Sequence, residues 1–322
     1  MSGVRLSVAL CTWNGAAYLE EQLESILAQY RVPDEVIACD DKSDDDSAAL
    51  LARFAARAPF NVHIVVNEQR RGVGKNFDHA ISLCGGDWIA LCDQDDVWRP
   101  DKLAVLEQAV TNSTRVGAVF TNARLIDHSG RDSGRTLWDG FGLRASTRER
   151  FLRGESLDVL LERNVVTGAA MMFSAKYRDL VLPIPEGWIH DAWIALVIAA
   201  VAPVLPVDAC SFAYREHGRN QIGVAGRSID ARIAQARQMP RSGYASQATR
   251  MRAVRDRLST HSGVDLNVLA KFDQKIAHAE VRAALPPSRV RRLPMILSEL
   301  FSGRYARYSS GPFSAIRDLL LS

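Results

Sequence analysis

Short apolar runs alternate with amphipathic stretches along the first third of the chain. Four runs of five to eight residues are almost continuously apolar, and each is followed by about ten residues with helical spacing of apolar positions. The pattern predicts strands at 5–12, 35–40, 61–66 and 88–92 and helices at 18–28, 46–57, 74–82 and 102–110. Strands that are apolar throughout and separated by helices are typical of a mostly parallel sheet covered on both faces. The sequence therefore predicts an α/β fold.

The pattern becomes less regular after residue 115. It predicts strand-like segments at 116–121, 125–127, 165–173, 204–207 and 212–217, with a helix at 190–202. The Gly- and Arg-rich stretch 130–150 predicts a loop or lid. Beyond residue 226 the chain has helical spacing, for example at 228–238, 248–258, 268–284 and 290–301. We therefore divide the chain into a catalytic domain, residues 1–225, and a basic helical C-terminal region, residues 226–322.

Composition and cysteine use indicate a globular protein of a reducing compartment. The 322 residues are 47% hydrophobic, which is enough to bury a full core. The five cysteines are odd in number and form no C-x-x-C pair, which argues against a disulfide framework or a zinc site. The first residues lack the charged and apolar regions of a signal peptide, and the longest apolar run, 192–207, is too short to span a bilayer. We expect a cytoplasmic protein.

The net charge of +3 conceals a division along the chain. Residues 1–225 hold 23 Lys/Arg and 30 Asp/Glu, net −7, whereas residues 226–322 hold 17 and 7, net +10. An acidic first part suits a metal site, and a basic second part suits an anionic surface such as phospholipid, a lipid-linked phosphate or nucleic acid. A plain solvated helical surface explains the basic residues equally well.

Three carboxylates, those of Asp93, Asp95 and Asp96, directly follow the predicted strand 88–92. They belong at the carboxyl end of that strand, where ligands bind in open α/β sheets. Mg²⁺ and Mn²⁺ prefer such oxygen ligands, and with one or two carboxylates the ion shares its other positions with water and substrate phosphates. The cluster therefore predicts a divalent cation and a phosphorylated donor. A solvated turn before the next helix is the alternative.

The other strand ends carry polar groups that should line the same rim. Asp40 and Asp41 follow the second strand, where a carboxylate can accept hydrogen bonds from a base or a ribose hydroxyl. The polar and acidic side chains of residues 43–46 suit the capping positions of the next helix, which is sufficient to explain them. After the third strand, Arg70, Arg71 or Lys75 could pair with a diphosphate, although the glycines there lack the Walker and Rossmann spacings.

The order of these motifs resembles the family 2 glycosyltransferases, inverting enzymes with the nucleotide-diphospho-sugar-binding fold called glycosyltransferase A (GT-A). The resemblance covers about residues 5–220. It is carried by Thr12-Trp13-Asn14-Gly15, Asp40-Asp41-x-Ser43-x-Asp45, Arg71-Gly72-x-x-x-Asn76, Asp93-x-Asp95-Asp96-x-Trp98 and His190-Asp191-x-Trp193. Cys92-Asp93-Gln94-Asp95-Asp96-Val97-Trp98, Thr167-Gly168-Ala169 and Tyr214-Arg215-Glu216-His217 also resemble a subgroup of rhamnosyltransferases of bacterial surface polysaccharides.

The resemblance implies a role for individual residues. The nucleotide would be contacted by Thr12, Asn14, Asp40, Asp41 and Arg71. Asp93 would face the ribose or the donor sugar, Asp95 would hold Mg²⁺ or Mn²⁺ together with His217, and Asp191 would be the general base. Further site residues implied in the same way are Asp96, Arg215 and Trp188.

The implied function is inverting transfer of a sugar from a nucleoside-diphosphate sugar to a hydroxyl of a saccharide or lipid-linked saccharide in surface polysaccharide biosynthesis. Rhamnose from dTDP-rhamnose is the best candidate donor. Nucleic acid is not expected as a partner. The basic region, with Leu297, Leu300, Phe301 and 319–321, could dock an amphipathic helix on anionic membrane at the inner face of the plasma membrane. Two alternatives are a sugar-phosphate nucleotidyltransferase and a non-catalytic glycan-binding scaffold.

Overall fold

The computed structural model describes residues 3–112, 115–218 and 241–320. The chain divides into two compact units: Met1–Gly154 with Val165–Ala225, and Glu155–Asn164 with Gly226–Ser322. The segment Glu155–Asn164 therefore belongs to the second unit, although the sequence placed it in the first. The reason lies in the helix Ser156–Glu162, which packs against the helix Arg304–Tyr308 of the second unit.

The first unit is built on one sheet. Its strands are β1 Leu6–Thr12, β2 Glu35–Asp40, β3 Asn61–Val66, β4 Trp88–Cys92, β5 Val97–Trp98, β6 Ala118–Ile126, β7 Asp132–Thr136, β8 Met171–Ser174 and β9 Val204–Arg215. The order in space is β3-β2-β1-β4-β8-β6-β9-β5, and β7 pairs with β6. Strands β1 to β4 pair in parallel, as do β6 and β9, whereas β8 is antiparallel to both neighbours. Consequently β1 to β4, β6 and β9 all run the same way, and the predicted mostly parallel α/β sheet is confirmed.

The first four helices alternate with the early strands, as expected, and five further helices follow in residues 137–199. In chain order the helices are α1 Ala16–Leu27, α2 Ser47–Arg57, α3 Val73–Leu83, α4 Lys102–Thr111, α5 Leu137–Phe141, α6 Ala145–Leu152, α7 Ser156–Glu162, α8 Arg178–Val181 and α9 His190–Ala199. Strand β1 is buried along its whole length, and nine of the ten residues of α9 are buried. The core therefore lies around β1, β4 and α9, and the ends of these elements are held rigidly.

The stretch 130–150 is not the loop that its composition predicted. It contains β7, α5 and most of α6. Helix α5 begins with a capping box, in which the Thr136 side chain accepts from the Asp139 N–H and the Asp139 carboxylate accepts from the Thr136 N–H. The Trp138 side chain is buried, and its Nε1 donates to the Thr121 carbonyl at 3.2 Å. The buried side chains of Leu137, Trp138 and Leu143 therefore anchor a segment whose other residues are mainly polar.

Five predicted strand segments correspond to three strands with different boundaries. Segments 116–121 and 125–127 form the single strand β6, and 204–207 and 212–217 form most of β9, because irregularities in pairing interrupt the apolar alternation without ending either strand. Segment 165–173 starts as the 3₁₀ turn Gly168–Ala170 and becomes strand only at β8. That turn adjoins the site described below.

The second unit is helical. Besides α7 it contains α10 Arg241–Ser259, α11 Leu266–Ala283, α12 Arg289–Phe301, α13 Arg304–Tyr308 and α14 Pro312–Leu320. The predicted helices 248–258, 268–284 and 290–301 are thus confirmed, whereas 228–238 lies outside the described residues. Ile296, Tyr305 and Ala315 meet in its apolar core, beside a buried ion pair of Arg282 with Asp318 at 2.6 Å. In the part of the chain that the structure describes, no helix has the length and hydrophobicity needed to cross a membrane.

Candidate active site

A cavity of about 190 Å³ opens in the first unit at the carboxyl ends of β1, β2 and β4. Thr12 is the last residue of β1, Asp41 directly follows β2, and Asp93 directly follows β4; all three line the cavity. The parallel pairing of these strands places their carboxyl ends side by side. The predicted rim of polar strand ends is therefore present.

The loop after β1 is tied to the acidic loop after β4. The Gln94 side chain accepts a hydrogen bond from the Trp13 N–H at 2.7 Å and donates one to the Trp13 carbonyl at 3.1 Å. Asn14 has a positive φ of 49°, and its side-chain oxygen accepts from the Asp44 N–H at 2.8 Å. Asn14 is thus engaged with the loop after β2 and is not among the residues that line the cavity.

Asp40 and Asp41 differ in their surroundings. Both oxygens of Asp40 are used within the loops, since Oδ1 accepts from Thr12 Oγ1 at 2.8 Å and Oδ2 accepts from the Ser43 N–H at 2.8 Å. Asp40 is fully buried and does not line the cavity. Asp41 lines it, and its carboxylate accepts from the backbone N–H groups of Arg71 and Gly72 at 2.7 and 2.8 Å. Asp41 therefore sets the position of the loop that enters α3.

That loop brings Arg70 to the cavity rather than Arg71. The Arg70 guanidinium lies 3.4 Å from the centre of the Trp13 ring, and Arg70 is among the lining residues. The Arg71 side chain is exposed and does not line the cavity, although its backbone N–H binds Asp41. Stacking on an aromatic face orients a guanidinium while leaving its N–H groups available for a ligand.

Carboxylates dominate the electrostatics of the cavity. Burial, together with the charges of Asp95 and Asp191, raises the pKa of Asp93 to about 7. Burial, with Asp95 and Asp93, also raises the pKa of Asp96 well above its ordinary value. Asp96 does not line the cavity; its Oδ1 accepts from the Arg215 N–H at 3.1 Å. Burial is the main cause of both raised pKa values, and the neighbouring carboxylates add to it.

Arg215 and His217 close the acidic loop from the end of β9. The Arg215 side chain is buried, and its Nε donates to the Asp95 carbonyl at 2.9 Å, so it positions the loop rather than facing the cavity. His217 Nε2 lies 2.8 Å from Asp95 Oδ2, and the imidazole stacks on Tyr18 with ring centres 4.9 Å apart. Asp95 and His217 thus place a carboxylate oxygen and an imidazole nitrogen, two atoms of the kind that bind metal ions, side by side next to the cavity. Among the described residues, no cluster of three or more His, Cys, Asp or Glu side chains is arranged to hold a metal ion.

Lys102 is buried beneath the acidic loop. Its Nζ donates to the Ala169 carbonyl at 2.5 Å and lies 3.9 Å from the centre of the Phe212 ring. Burial lowers its pKa to about 8, while Cys92, Asp96 and Asp93 act in the opposite direction. The sequence pattern predicted Lys102 only as the first residue of a helix. Its contact with Ala169 fixes the 3₁₀ turn Gly168–Ala170.

Asp191, in the first turn of α9, meets the same turn from the other side. Its Oδ2 accepts from the Gly168 N–H at 2.9 Å, whereas its buried Oδ1 has no hydrogen-bond partner among the described residues. Burial raises the pKa of Asp191 to about 6, although the N–H groups of Gly168 and Ala192 oppose the shift. A carboxylate that lines a cavity, is oriented through one oxygen and has a second oxygen without a hydrogen-bond partner can accept a proton.

Gly168 allows this arrangement because it leaves room for His190. A Cβ atom at position 168 would lie 2.5 Å from His190 Nε2. The His190 ring cannot easily move away, since it stacks on Phe77 with ring centres 3.9 Å apart. Burial lowers the pKa of His190 to about 3, so the ring is neutral at physiological pH.

The structure brings together five of the residues that the sequence predicted: Thr12, Asp41, Asp93, Asp95 and Asp191 line one cavity, with His217 bound to Asp95. Asn14, Asp40, Arg71, Asp96, Arg215 and Trp188 are not among its lining residues. Sequence reasoning missed Gln94 and Lys102 and did not single out Arg70 from the neighbouring cations. The available signal for Gln94 was its place as a polar residue inside the acidic motif. For Arg70 the signal was Trp13 on the predicted rim, an aromatic ring on which a guanidinium can stack. No signal was available for Lys102.

Comparisons with known proteins agree with the fold and the strand-end motifs. Residues 7–178 match the model of the glycosyl transferase family 2. An uncharacterized glycosyltransferase of Nostoc is 28% identical over 228 residues, covering 67% of this chain and 66% of that protein. The dTDP-rhamnosyl transferase RfbG of Shigella flexneri is 35% identical over 130 residues, covering 37% of this chain and 45% of that protein. The chain thus spans less than two thirds of the length of these curated relatives.

Two solved structures share the fold at low sequence identity. One is the mannosyltransferase PcManGT from Pyrobaculum calidifontis in complex with GDP-Man and Mn²⁺, with a TM-score of 0.56 and 18% identity over 98% of this chain and 79% of that one. The other is TarS from S. aureus in complex with UDP-GlcNAc, with a TM-score of 0.59 and 17% identity over 94% of this chain and 81% of that one. Both are GT-A glycosyltransferases. The first unit thus has the GT-A architecture, and the chain belongs to glycosyl transferase family 2.

Proposed function

We propose that this protein is an inverting glycosyltransferase that moves a sugar from a nucleoside-diphosphate sugar to a hydroxyl group of a saccharide or lipid-linked saccharide acceptor in polysaccharide biosynthesis. The observation that carries the proposal is Asp191, whose buried Oδ1 has no partner among the described residues and whose pKa burial raises to about 6. It lines the same cavity as the acidic residues that follow β4. A base and a cation-binding carboxylate therefore share one cavity.

The nucleotide would occupy the part of the cavity lined by Thr12, Asp41 and Arg70. The Asp41 carboxylate accepts hydrogen bonds from two backbone N–H groups of the loop before α3. It thereby holds this loop in a position where it can contact the base or the ribose. Arg70, oriented on Trp13, carries the positive charge suited to a diphosphate. We assign to Arg70 the contact that the family resemblance gave to Arg71.

A divalent cation fits the acidic side of the cavity. Asp95 and His217 offer an oxygen and a nitrogen ligand 2.8 Å apart. The Asp93 carboxyl, whose pKa is raised by burial and by the charges of Asp95 and Asp191, lines the same cavity, and a cation would offset these charges. Mg²⁺ and Mn²⁺ are commonly held by one or two protein carboxylates with the substrate phosphates completing the shell. When bound, the ion would offset negative charge on the diphosphate leaving group.

The reaction proceeds by one displacement. Asp191 Oδ1 takes the proton of the acceptor hydroxyl, and the acceptor oxygen forms a bond to the anomeric carbon of the donor sugar. The bond from that carbon to the diphosphate oxygen breaks, and the nucleoside diphosphate leaves with the electron pair. A single attack from the opposite face inverts the anomeric centre, and one positioned base is sufficient for it.

We further propose dTDP-rhamnose as the donor and the cytoplasmic face of the membrane as the place of reaction. The 35% identity to the dTDP-rhamnosyl transferase of Shigella flexneri supports the donor, although it extends over only 37% of this chain. The five cysteines are all free thiols, which suits a reducing compartment.

The direct test is to incubate the purified protein and Mn²⁺ with dTDP-rhamnose, UDP-sugars and GDP-sugars, with and without candidate saccharide acceptors. Release of nucleoside diphosphate that requires an acceptor, with a glycoside product of inverted anomeric configuration by NMR, is the expected result. Release of pyrophosphate from a nucleoside triphosphate and a sugar phosphate would instead identify a nucleotidyltransferase. Binding of glycans without any effect of nucleotide or metal would identify a scaffold.

A further inference from the structure

Two helices of the second unit are apolar on more than one side. Ile296 of α12 and Ala315 of α14 are buried in the core of that unit, and Leu300 and Leu319 pack against it. A helix on the surface of a globular protein ordinarily has one apolar stripe, which faces its core. These two helices carry a second stripe that the core does not use.

The second stripe of α12 consists of Val290, Leu293, Leu297 and Phe301, which follow one another at intervals of three and four residues. All four are exposed, Val290 by 81% and Phe301 by 88%. The second stripe of α14 consists of Phe313, Ile316 and Leu320, at the same intervals and each more than half exposed. We call these seven side chains the apolar face.

The two stripes belong to neighbouring helices. Helices α12 and α14 pack against each other. Arg289, at the start of α12, donates from Nη2 to the carbonyl of Leu320, at the end of α14, at 3.3 Å. Arg292 donates from Nη1 to the carbonyl of Asp318 at 3.1 Å. These contacts place the start of α12 beside the end of α14, so the two neighbouring helices run antiparallel and each carries an exposed apolar stripe.

The exposed charges within residues 289–320 all have one sign. Arg289, Arg291 and Arg307 are exposed in residues 289–320. The two acidic residues of that segment, Glu299 and Asp318, are buried and paired, Glu299 with His278 at 2.7 Å and Asp318 with Arg282 at 2.6 Å. Within 289–320 the surface thus presents exposed apolar and cationic side chains and no exposed carboxylate.

From this combination we infer that the apolar face, Val290 to Phe301 of α12 and Phe313 to Leu320 of α14, docks on the surface of a membrane that contains anionic lipid. Apolar side chains bordered by arginines match an interface in which acyl chains lie below negatively charged headgroups. This inference assigns the expected membrane contact of residues 226–322 to particular side chains. Leu297 and Phe301 belong to the apolar face, whereas Leu300 and Leu319 pack against the core of the unit. The inference does not depend on the proposed transfer reaction.

The test is flotation of the full-length protein with vesicles of phosphatidylcholine alone and of phosphatidylcholine with phosphatidylglycerol, without any sugar donor. The variants are Phe301→Glu with Phe313→Glu, and the matched control Leu266→Glu, since Leu266 is 79% exposed in α11 of the same unit but lies outside the face. Circular dichroism and thermal melting establish that each variant is folded.

At low salt we expect at least about tenfold more wild-type protein on anionic than on neutral vesicles, with a decrease as the salt concentration rises. The double variant should lose at least about tenfold of this binding, and Leu266→Glu should bind like the wild type. The inference is overturned if the wild type does not float with anionic vesicles, or if the folded double variant binds as well as the wild type. It is also overturned if light scattering shows a wild-type dimer that the double variant abolishes, because the face then joins two copies of the chain.

Discussion

Arg70 and Arg71 are adjacent in sequence but have different surroundings. Arg70 stacks on Trp13 beside the cavity, whereas the exposed Arg71 contributes its backbone N–H to Asp41. We predict that Arg70→Ala weakens binding of the nucleoside diphosphate by about tenfold, because a charged contact to phosphate is lost. Arg71→Ala, the matched control, should change it by less than about twofold, since its backbone N–H remains. Calorimetric titration of both variants measures this difference, and the reverse ranking would contradict the assignment.

Asp191 combines a proposed catalytic role with an unfavourable position for a charge. We predict that Asp191→Asn lowers the transfer rate by about 10²–10⁴-fold, the range typical of a lost general base, while donor binding is retained. The amide oxygen can still accept from the Gly168 N–H. An equal loss of donor affinity would instead indicate that Asp191 has only a structural role.

The same substitution has a predictable effect on stability. Burial raises the pKa of Asp191 from 3.8 to about 6, so the folded state holds the proton more tightly than the unfolded state does. The ionised carboxylate therefore lowers stability fully above about pH 6, and this effect disappears below the unfolded value, where both states are protonated. Metal-free Asp191→Asn should be more stable than the wild type at pH 8 by about 1–3 kcal/mol, measured by urea unfolding. A lower stability at pH 8 would contradict the assigned environment.

The rate should depend on pH through the same group. Because Asp191 must be ionised to accept a proton, the transfer rate is expected to be constant above about pH 6 and to fall about tenfold per pH unit below it. The measurement is the pH profile of the rate at saturating donor. A fall that begins only near 3.8, the ordinary carboxyl value, would show that the base is not buried.

At the scale of elements, the 3₁₀ turn Gly168–Ala170 orients the amino end of α9. A Cβ at position 168 would lie 2.5 Å from the stacked His190 ring. We predict that Gly168→Ala displaces His190 and Asp191 and lowers the transfer rate by about 10²-fold, as expected for a misplaced catalytic group. The measurement is steady-state kinetics together with thermal melting.

Gly74→Ala is the matched control for that substitution. Gly74 lies inside α3 in the same unit, where a Cβ would meet its nearest atom, the Trp188 carbonyl oxygen, at 3.6 Å, an ordinary contact. An alanine there should leave the rate unchanged and raise stability by about 0.5–1 kcal/mol. Equal rates for Gly168→Ala and wild type would show that the turn does not position Asp191.

The elements differ in how far the sequence could predict them. Strands β1 to β4 are mainly apolar and are bounded by polar groups, so their ends, and with them Asp41 and Asp93, were predictable. The turn at 168–170 was not, because its small residues are buried and continue an apolar run into β8. Helices α5 and α6 were also missed. In α5 a capping box and the buried Trp138 outweigh a polar composition, and in α6 Phe151 is the buried residue of a mainly polar helix.

At the scale of the whole molecule, the charge division and the helical pattern both placed a boundary at residue 226. The basic helical unit was expected from residue 226, but α7 joins it from within the first part of the sequence. The sequence analysis predicted no helix at 156–162, and a local pattern does not indicate which core a segment packs against. Local patterns therefore located the strand-end residues, whereas contacts between distant segments, such as Lys102 with Ala169, required the structure.

The central claim is that the cavity binds a nucleoside diphosphate together with a divalent cation held by Asp95. The most direct measurement is calorimetric titration of wild type and Asp95→Ala with deoxythymidine, uridine and guanosine diphosphates, each with Mn²⁺ and with chelator. The account predicts that one nucleotide binds the wild type at least about tenfold more tightly with Mn²⁺ than with chelator, and that folded Asp95→Ala loses this difference. Absence of binding under every condition, or binding that neither chelator nor Asp95→Ala changes, would contradict it.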